Sequence, residues 1–120
     1  MATQNGIVKK TPLSEFKKPR KNGKRAIKLD DNDELVGTLL TDGSADLMVV
    51  SNAGKAVFFN EVDARSMGRD TRGVKGITLD GDQKVISLLK PSKESEILTV
   101  SENGYGKRSK VNDFRKTKRG

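Results

Sequence analysis

A segment of about fifty residues occurs more than once in this chain. Asp46-Leu47-Met48-Val49-Val50-Ser51-Asn52-Ala53-Gly54 returns as Glu96-Ile97-Leu98-Thr99-Val100-Ser101-Glu102-Asn103-Gly104, and Gly23-Lys24-Arg25-Ala26-Ile27-Lys28-Leu29 returns as Gly73-Val74-Lys75-Gly76-Ile77-Thr78-Leu79, both at an offset of 50. Self-similarity at a fixed period of this length marks a repeat architecture, in which each unit buries its apolar face only against its neighbours. The composition agrees. Only 32% of the 120 residues are hydrophobic and there is no Trp, so a thin core spread over stacked units fits better than one large globular core.

The apolar runs are short and β-branched. Leu47 to Val50, Ala56 to Phe59, Val85 to Leu89 and Ile97 to Val100 read as strands, with Leu35 to Leu40 as a further candidate, and Gly, Asn, Asp or Pro bounds each run. Asn5-Gly6, Ala53-Gly54 and Asn103-Gly104 lie between strand-like runs. Asn-Gly is the favoured type I′ hairpin pair, so such turns are expected here. Asp42-Gly43 and Asp80-Gly81 are further turns. Helical turns are expected only at Leu13 to Phe16, Asn60 to Ala64 and Val111 to Phe114. The fold class is therefore all-β, with about four strands per unit, the size of a propeller blade. The frame set by Gly6, Gly54 and Gly104 divides the chain into units at about 1–46, 47–96 and 97–120, the last partial. Met1 then falls mid-strand, opposite Val49, and Gly120 falls in the loop equivalent to Lys17 to Asn22. The expectation is a chain cut within a unit at both ends, whether excised from a longer array or completed end to end.

Charge follows the same frame. Residues 1–29 carry nine Lys/Arg and one acid, residues 30–54 six acids and no base, residues 55–79 five bases and three acids, residues 80–103 three bases and five acids, and residues 104–120 seven bases and one acid. A charge placed once per repeat becomes a stripe across the stack. The first basic half holds Lys9, Lys10, Lys17, Lys18, Arg20, Lys21, Lys24 and Arg25. The second holds Arg65, Arg69, Arg72 and Lys75. The third holds Lys107, Arg108, Lys110, Arg115 and Lys116, with Lys118 and Arg119 beyond. Lined up on one edge, these side chains form a positive track suited to a phosphate backbone, and the net charge of +8 favours an acidic partner. Gly23, Gly73 and Gly76 interleave with the bases and are expected to let phosphate approach backbone N–H groups. Nothing suggests base readout. Phe16, Phe58, Phe59 and Phe114 read as core residues rather than stacking platforms, so backbone contact with DNA bending is the better fit.

Other chemistries find no support. The chain has neither Cys nor His, which removes thiolate sites, the usual general base and the commonest metal ligand. Asp30-Asp31-Asn32-Asp33-Glu34 lacks the spaced ligands and distal Glu of a calcium loop. Tyr105, Ser66 and Ser101 have no candidate base. No catalytic, metal or cofactor site is expected. No apolar run reaches the roughly 20 residues of a membrane span, and no signal-peptide core is visible, so a cytoplasmic protein is expected.

Three motifs carry a resemblance over essentially the whole chain: Asn5-Gly6-Ile7-Val8-Lys9-Lys10-Thr11, Arg65-Ser66-Met67-Gly68-Arg69-Asp70-Thr71-Arg72-Gly73-Val74-Lys75-Gly76-Ile77 and Glu102-Asn103-Gly104-Tyr105-Gly106-Lys107-Arg108. In this order they resemble the C-terminal domain of the A-type subunit of bacterial DNA gyrase, a type IIA topoisomerase. The resemblance implies a β-pinwheel, an array of blades, usually six, that exchange strands between neighbours. It also implies wrapping of duplex DNA around the blade rim, which biases the parent enzyme toward negative supercoiling. The implied partners are the rest of the gyrase A polypeptide and the ATP-hydrolysing gyrase B polypeptide. The domain itself is expected to be non-catalytic. The family's glycine-rich box is absent as such, and Arg72-Gly73-Val74-Lys75-Gly76 resembles the degenerate form of later blades. The related topoisomerase IV A-type subunit is therefore an alternative, and so is a protein-interaction module acting through open strand edges.

Overall fold

The computed structural model describes residues 1–120 as short antiparallel sheets with no α-helix. Two strands and a tight turn open each copy of the repeat: β1 (Ala2–Thr3) and β2 (Ile7–Val8) in the first, β4 (Asp46–Ser51) and β5 (Ala56–Asn60) in the second, β8 (Glu96–Val100) and β9 (Gly106–Lys110) in the third. A further strand then returns to the first strand of the pair. β3 (Leu35–Gly37) joins β1, and β7 (Val85–Leu89) joins β4. The expected strand over Leu35 to Leu40 thus stops at Gly37. Single 3₁₀ turns at Leu13–Phe16, Glu61–Asp63 and Val111–Asp113 occupy the expected helical positions. No helix is long and apolar enough to cross a membrane.

The hairpin turns differ from expectation in type. Gly6, Gly54 and Gly104 have φ of 87°, 78° and 83°, whereas Asn5 and Asn103 keep negative φ, so these are not type I′ turns. Each is a three-residue loop in which the glycine N–H donates back to Thr3, Ser51 or Ser101 at 3.1, 3.1 and 2.9 Å. The hydroxyl of the same Thr or Ser accepts the following N–H, from Ile7, Lys55 or Tyr105. A type I turn closed by a left-handed glycine has this geometry, and it needs positive φ only at the last loop position.

The copies are joined by an exchanged strand. β6 (Val74–Lys75) belongs to the second copy but pairs with β2 of the first, giving the order β3-β1-β2-β6. Upstream of it, Lys10 and Ser66 form a parallel bridge, and the Met67 N–H donates to the Lys10 carbonyl at 2.9 Å. The third copy treats the second in the same way. Phe58 bridges Lys116, and the Thr117 N–H donates to the Phe58 carbonyl at 2.7 Å. Gly73 and Gly76 are required at this crossing. A Cβ on Gly73 would meet the Val8 carbonyl oxygen at 2.5 Å, and one on Gly76 would meet Val8 Cγ1 at 2.4 Å.

The middle sheet is covered on both faces, which explains its unbroken apolar run. Val49, Val57 and Phe59 pack with Ala2, Val8, Ile77 and Val85 toward the first copy. Met48 and Phe58 pack with Val111, Ile97 and Phe114 toward the third. Adjacent side chains on β4 and β5 thus feed two separate cores, as the period-two geometry of a strand requires. On β8, the positions equivalent to Met48 and Val50 are Leu98 and Val100, and they are 67% and 66% exposed.

Candidate nucleic-acid interface

The basic side chains divide into those that face solvent and those that hold the fold together. Lys17, Lys18, Arg20, Lys24, Arg25 and Arg69 line a shallow basin of about 410 Å³ that contains no apolar residue. Five of the six come from the loop that follows the Leu13–Phe16 turn, and Arg69 comes from the equivalent loop of the second copy. The first loop is folded back by Lys18 and Gly23, both at positive φ (55° and 77°), and by the Gly23 N–H donating to the Arg20 carbonyl at 2.9 Å. Gly23 has open space around its missing Cβ, so its backbone is accessible from the basin. The Lys24 ammonium donates to the Lys17 carbonyl, and an Arg69 guanidinium nitrogen to the Arg25 carbonyl at 2.9 Å. These contacts satisfy neutral oxygens and leave the positive charges of Lys24 and Arg69 without a counter-ion.

Lys9, expected on the track, lies inside. It is 3% exposed, and its ammonium donates to the carbonyls of Ala26 and Thr71, at 2.8 and 3.1 Å, and of Arg69. Burial lowers its pKa, an effect opposed by Asp70 and reinforced by Arg69. This lysine ties together the two loops that build the basin: Ala26 follows one, and Arg69 and Thr71 lie in the other. Lys10 is likewise engaged, donating to the Glu61 carbonyl at 3.0 Å with its carboxylate at 3.8 Å. Lys116 pairs with Asp46 at 2.6 Å and thereby holds the Asp46 carboxyl below its ordinary range, helped by Asn60. Arg119 reaches the carbonyls of Asp63 and Lys75 across the copy junction. A repeat frame carries the signal that Lys9 is interior, because its equivalent in the second copy is Val57, a core residue.

Three arginines make solvent-exposed ion pairs: Arg25 with Asp70 at 3.4 Å, Arg72 with Asp30 at 2.9 Å and Arg108 with Glu96 at 2.9 Å. Exposed pairs contribute about 0–1 kcal/mol, so a phosphate can displace the carboxylate at little cost. Lys21, Arg65, Lys75, Lys107, Lys110 and Arg115 are exposed and make no ion pair. They do not line the basin.

Glu61 was not anticipated as an anchor. Its carboxylate is buried, and desolvation pushes its pKa up. Hydrogen bonds from the Ala45 N–H, the Thr41 hydroxyl and the Gly43 N–H, together with the Lys10 charge, outweigh that and lower it. No cluster of acidic side chains is arranged to hold a metal ion, the Asp30 to Glu34 run included.

Stacked antiparallel sheets, each receiving a strand from the following copy and carrying cations on its connecting loops, define a β-propeller of the strand-exchanged, pinwheel kind. The chain belongs to the DNA gyrase C-terminal domain family: the model described as "DNA gyrase C-terminal domain, beta-propeller" matches residues 1–42, 45–92 and 95–120. It is 53% identical over 114 residues to the DNA gyrase A polypeptide of Salmonella typhimurium, covering 95% of this chain and 13% of that protein. To the Pseudomonas aeruginosa gyrase A polypeptide it is 46% identical over 120 residues, again covering 13% of that protein. Among solved structures, the C-terminal domain of DNA topoisomerase IV superposes with a TM-score of 0.93 at 34% identity, over 99% of this chain and 38% of that one. The DNA gyrase A C-terminal domain superposes with a TM-score of 0.86 at 31% identity, over 99% and 39%.

Proposed function

We propose that this chain binds duplex DNA without regard to sequence, through phosphate contacts centred on the basin of Lys17, Lys18, Arg20, Lys24, Arg25 and Arg69, and that it bends or wraps the duplex along its rim. The observation that carries this reading is the basin itself, where loops of two successive copies bring six cations together with no acidic or apolar residue in its lining. Clustered cations bind DNA by releasing counterions, and contacts confined to phosphates carry no sequence information. In a cytoplasmic parent gyrase, the chain would act as a non-catalytic part of the A-type polypeptide. Beside the B-type polypeptide and the rest of its own, it would supply a DNA segment for strand passage and so favour negative supercoiling. Membership of the gyrase family supports that context over a topoisomerase IV one.

The test is the salt dependence of affinity for a short duplex, read by fluorescence anisotropy. If all six basin cations meet phosphates, the log–log slope is about −5, from about −0.9 per phosphate. Replacing both Lys17 and Arg20 with Ala should reduce its magnitude by about 2 for any duplex sequence. An affinity independent of salt, or a slope unchanged by the double substitution, removes the basin from the interface. A second reading, protein association through the third hairpin, is favoured by the exposure of Leu98 and Val100. Sedimentation at rising concentration decides it, because a strict monomer excludes self-association.

A further inference from the structure

Three Asn-Gly pairs occur in this chain, at Asn5-Gly6, Asn22-Gly23 and Asn103-Gly104. In such a pair the glycine amide nitrogen can attack the asparagine side-chain amide, because no Cβ hinders the approach. The fold treats the three pairs differently. Asn5 is exposed but Gly6 is buried; its N–H donates to the Thr3 carbonyl, and its own carbonyl accepts the Gly76 and Ile77 N–H groups at 2.8 and 3.3 Å. Around Asn103, the Gly104 N–H donates to the Ser101 carbonyl at 2.9 Å, the Ser101 N–H to the Tyr105 carbonyl at 2.8 Å and the Tyr105 N–H to the Ser101 hydroxyl at 3.3 Å, at the end of the β8–β9 ladder. Asn22 and Gly23 are exposed and belong to no strand. From residue 18 to residue 27 a single backbone–backbone hydrogen bond forms, from the Gly23 N–H to the Arg20 carbonyl.

From this we infer that Asn22 is a self-modification site, where deamidation plants a carboxylate in the loop that builds the basin. Gly23 lines the basin together with its six cations, and no acidic side chain shares that lining. The glycine amide must lose its proton before it attacks, and neighbouring positive charge favours the anionic form. Glu102, beside Asn103, acts in the opposite sense. Opening one hydrogen bond frees the Gly23 nitrogen, whereas three close the Asn103 loop. The Gly23 nitrogen then bonds to the Asn22 side-chain carbonyl carbon. The bond from that carbon to the side-chain nitrogen breaks, and ammonia leaves with the proton that Gly23 gave up. Water opens the resulting five-membered succinimide at either carbonyl and leaves aspartate or isoaspartate at position 22. The consequence for binding rests on the DNA reading above: a fixed negative charge in the loop that supplies five of the six cations competes with phosphate for them.

The experiment incubates the full chain in mildly alkaline buffer and follows the peptides containing Asn5, Asn22 and Asn103 by mass spectrometry, which reads the exchange of an amide for an acid. Modification at Asn22 is expected about tenfold faster than at Asn103, where two further hydrogen bonds must open, and faster still than at Asn5. In urea the gap should narrow, because the bonds that set it are gone. Asn22→Gln, which must close a larger ring, should stay unmodified over the same period. Asn22→Asp, the product, should lower the magnitude of the DNA salt slope by about one. Equal rates at Asn22 and Asn103 in the folded chain, or a gap undiminished by urea, would overturn the site. A slope unchanged in Asn22→Asp but lowered by the double substitution of Lys17 and Arg20 would overturn its effect on binding. If the affinity of the native chain is itself independent of salt, the DNA reading fails, and the masses alone still decide the site.

Discussion

Glu61 is the side chain whose replacement tests most directly how the first two copies are held together. Its Oε1 accepts the N–H groups of Gly43 and Ala45, both at 2.8 Å, and its Oε2 accepts the Thr41 hydroxyl at 2.8 Å, with Lys10 at 3.8 Å. The side chain is 2% exposed, so water cannot replace a lost partner. Glu61→Ala leaves two amide donors and a hydroxyl unpaired, while Lys10 keeps its bond to the residue-61 carbonyl. Unpaired buried donors cost about 1–3 kcal/mol each. These losses overlap, and an overall loss of about 4 kcal/mol is expected, a large share of a typical total of about 5–15 kcal/mol. Glu61→Gln keeps an acceptor for both amides and can still pair with the Thr41 hydroxyl, which turns to accept from the new amide. It loses only the charge, and about 1–2 kcal/mol is expected.

Urea unfolding followed by circular dichroism should therefore rank the native chain above Gln and Gln above Ala, with unchanged slope. The pH dependence sharpens the test. The folded pKa of Glu61 is lowered, so the unfolded chain binds its proton more tightly. Its stabilising effect is complete above the ordinary carboxylate value of about 4.3 and is lost as pH falls through the folded value. The gap between native and Gln chains should narrow on acidification below about pH 4. A Gln variant as stable as the native chain at pH 7, an Ala variant costing less than about 1 kcal/mol, or a gap that widens in acid would refute this account.

Other substitutions separate holding from binding. Lys9→Met should lower stability by about 3 kcal/mol, because three buried carbonyls lose a charged donor, while the magnitude of the salt slope for DNA should not fall by about one unit as for a phosphate contact. Gly73→Ala meets the Val8 carbonyl at φ +112° and should cost more than about 3 kcal/mol, whereas Gly23→Ala, at φ +77° in open space, should cost only about 1–2 kcal/mol; thermal melts compare the two. Lys116→Ala removes the pair with Asp46 and should lower the melting point slightly, yet leave DNA affinity nearly unchanged in the anisotropy assay.

The apolar strands, the hairpin positions and the 3₁₀ turns were legible because they are local: short β-branched runs bounded by turn residues mark them, whereas Gly106–Lys110, with no apolar residue, was not among the runs read as strands. The exchange of strands was reached only by resemblance, since a two-residue strand such as Val74–Lys75 has no periodicity to detect and exists because β2 lies beside it. Type I′ turns were expected from Asn-Gly, but the Ser or Thr hydroxyl before each loop selects the longer loop with a single left-handed glycine.

By itself the sequence determined the repeat, the all-β class and the in-phase basic charge, all of which are written in spacing and composition. Only the tertiary structure decided which charges are available. Lys9 and Lys17 are indistinguishable as residues in a basic run, yet one is buried beneath the carbonyls of Ala26, Arg69 and Thr71 and the other faces the basin. The difference arises because a lysine's partners come from the neighbouring copy some sixty residues away, and the energy of burying its charge depends on whether those oxygens are there to receive it. The same reason leaves Glu61 unremarkable as a letter and makes it, in three dimensions, a buried anchor that gathers the Thr41 hydroxyl and the N–H groups of Gly43 and Ala45.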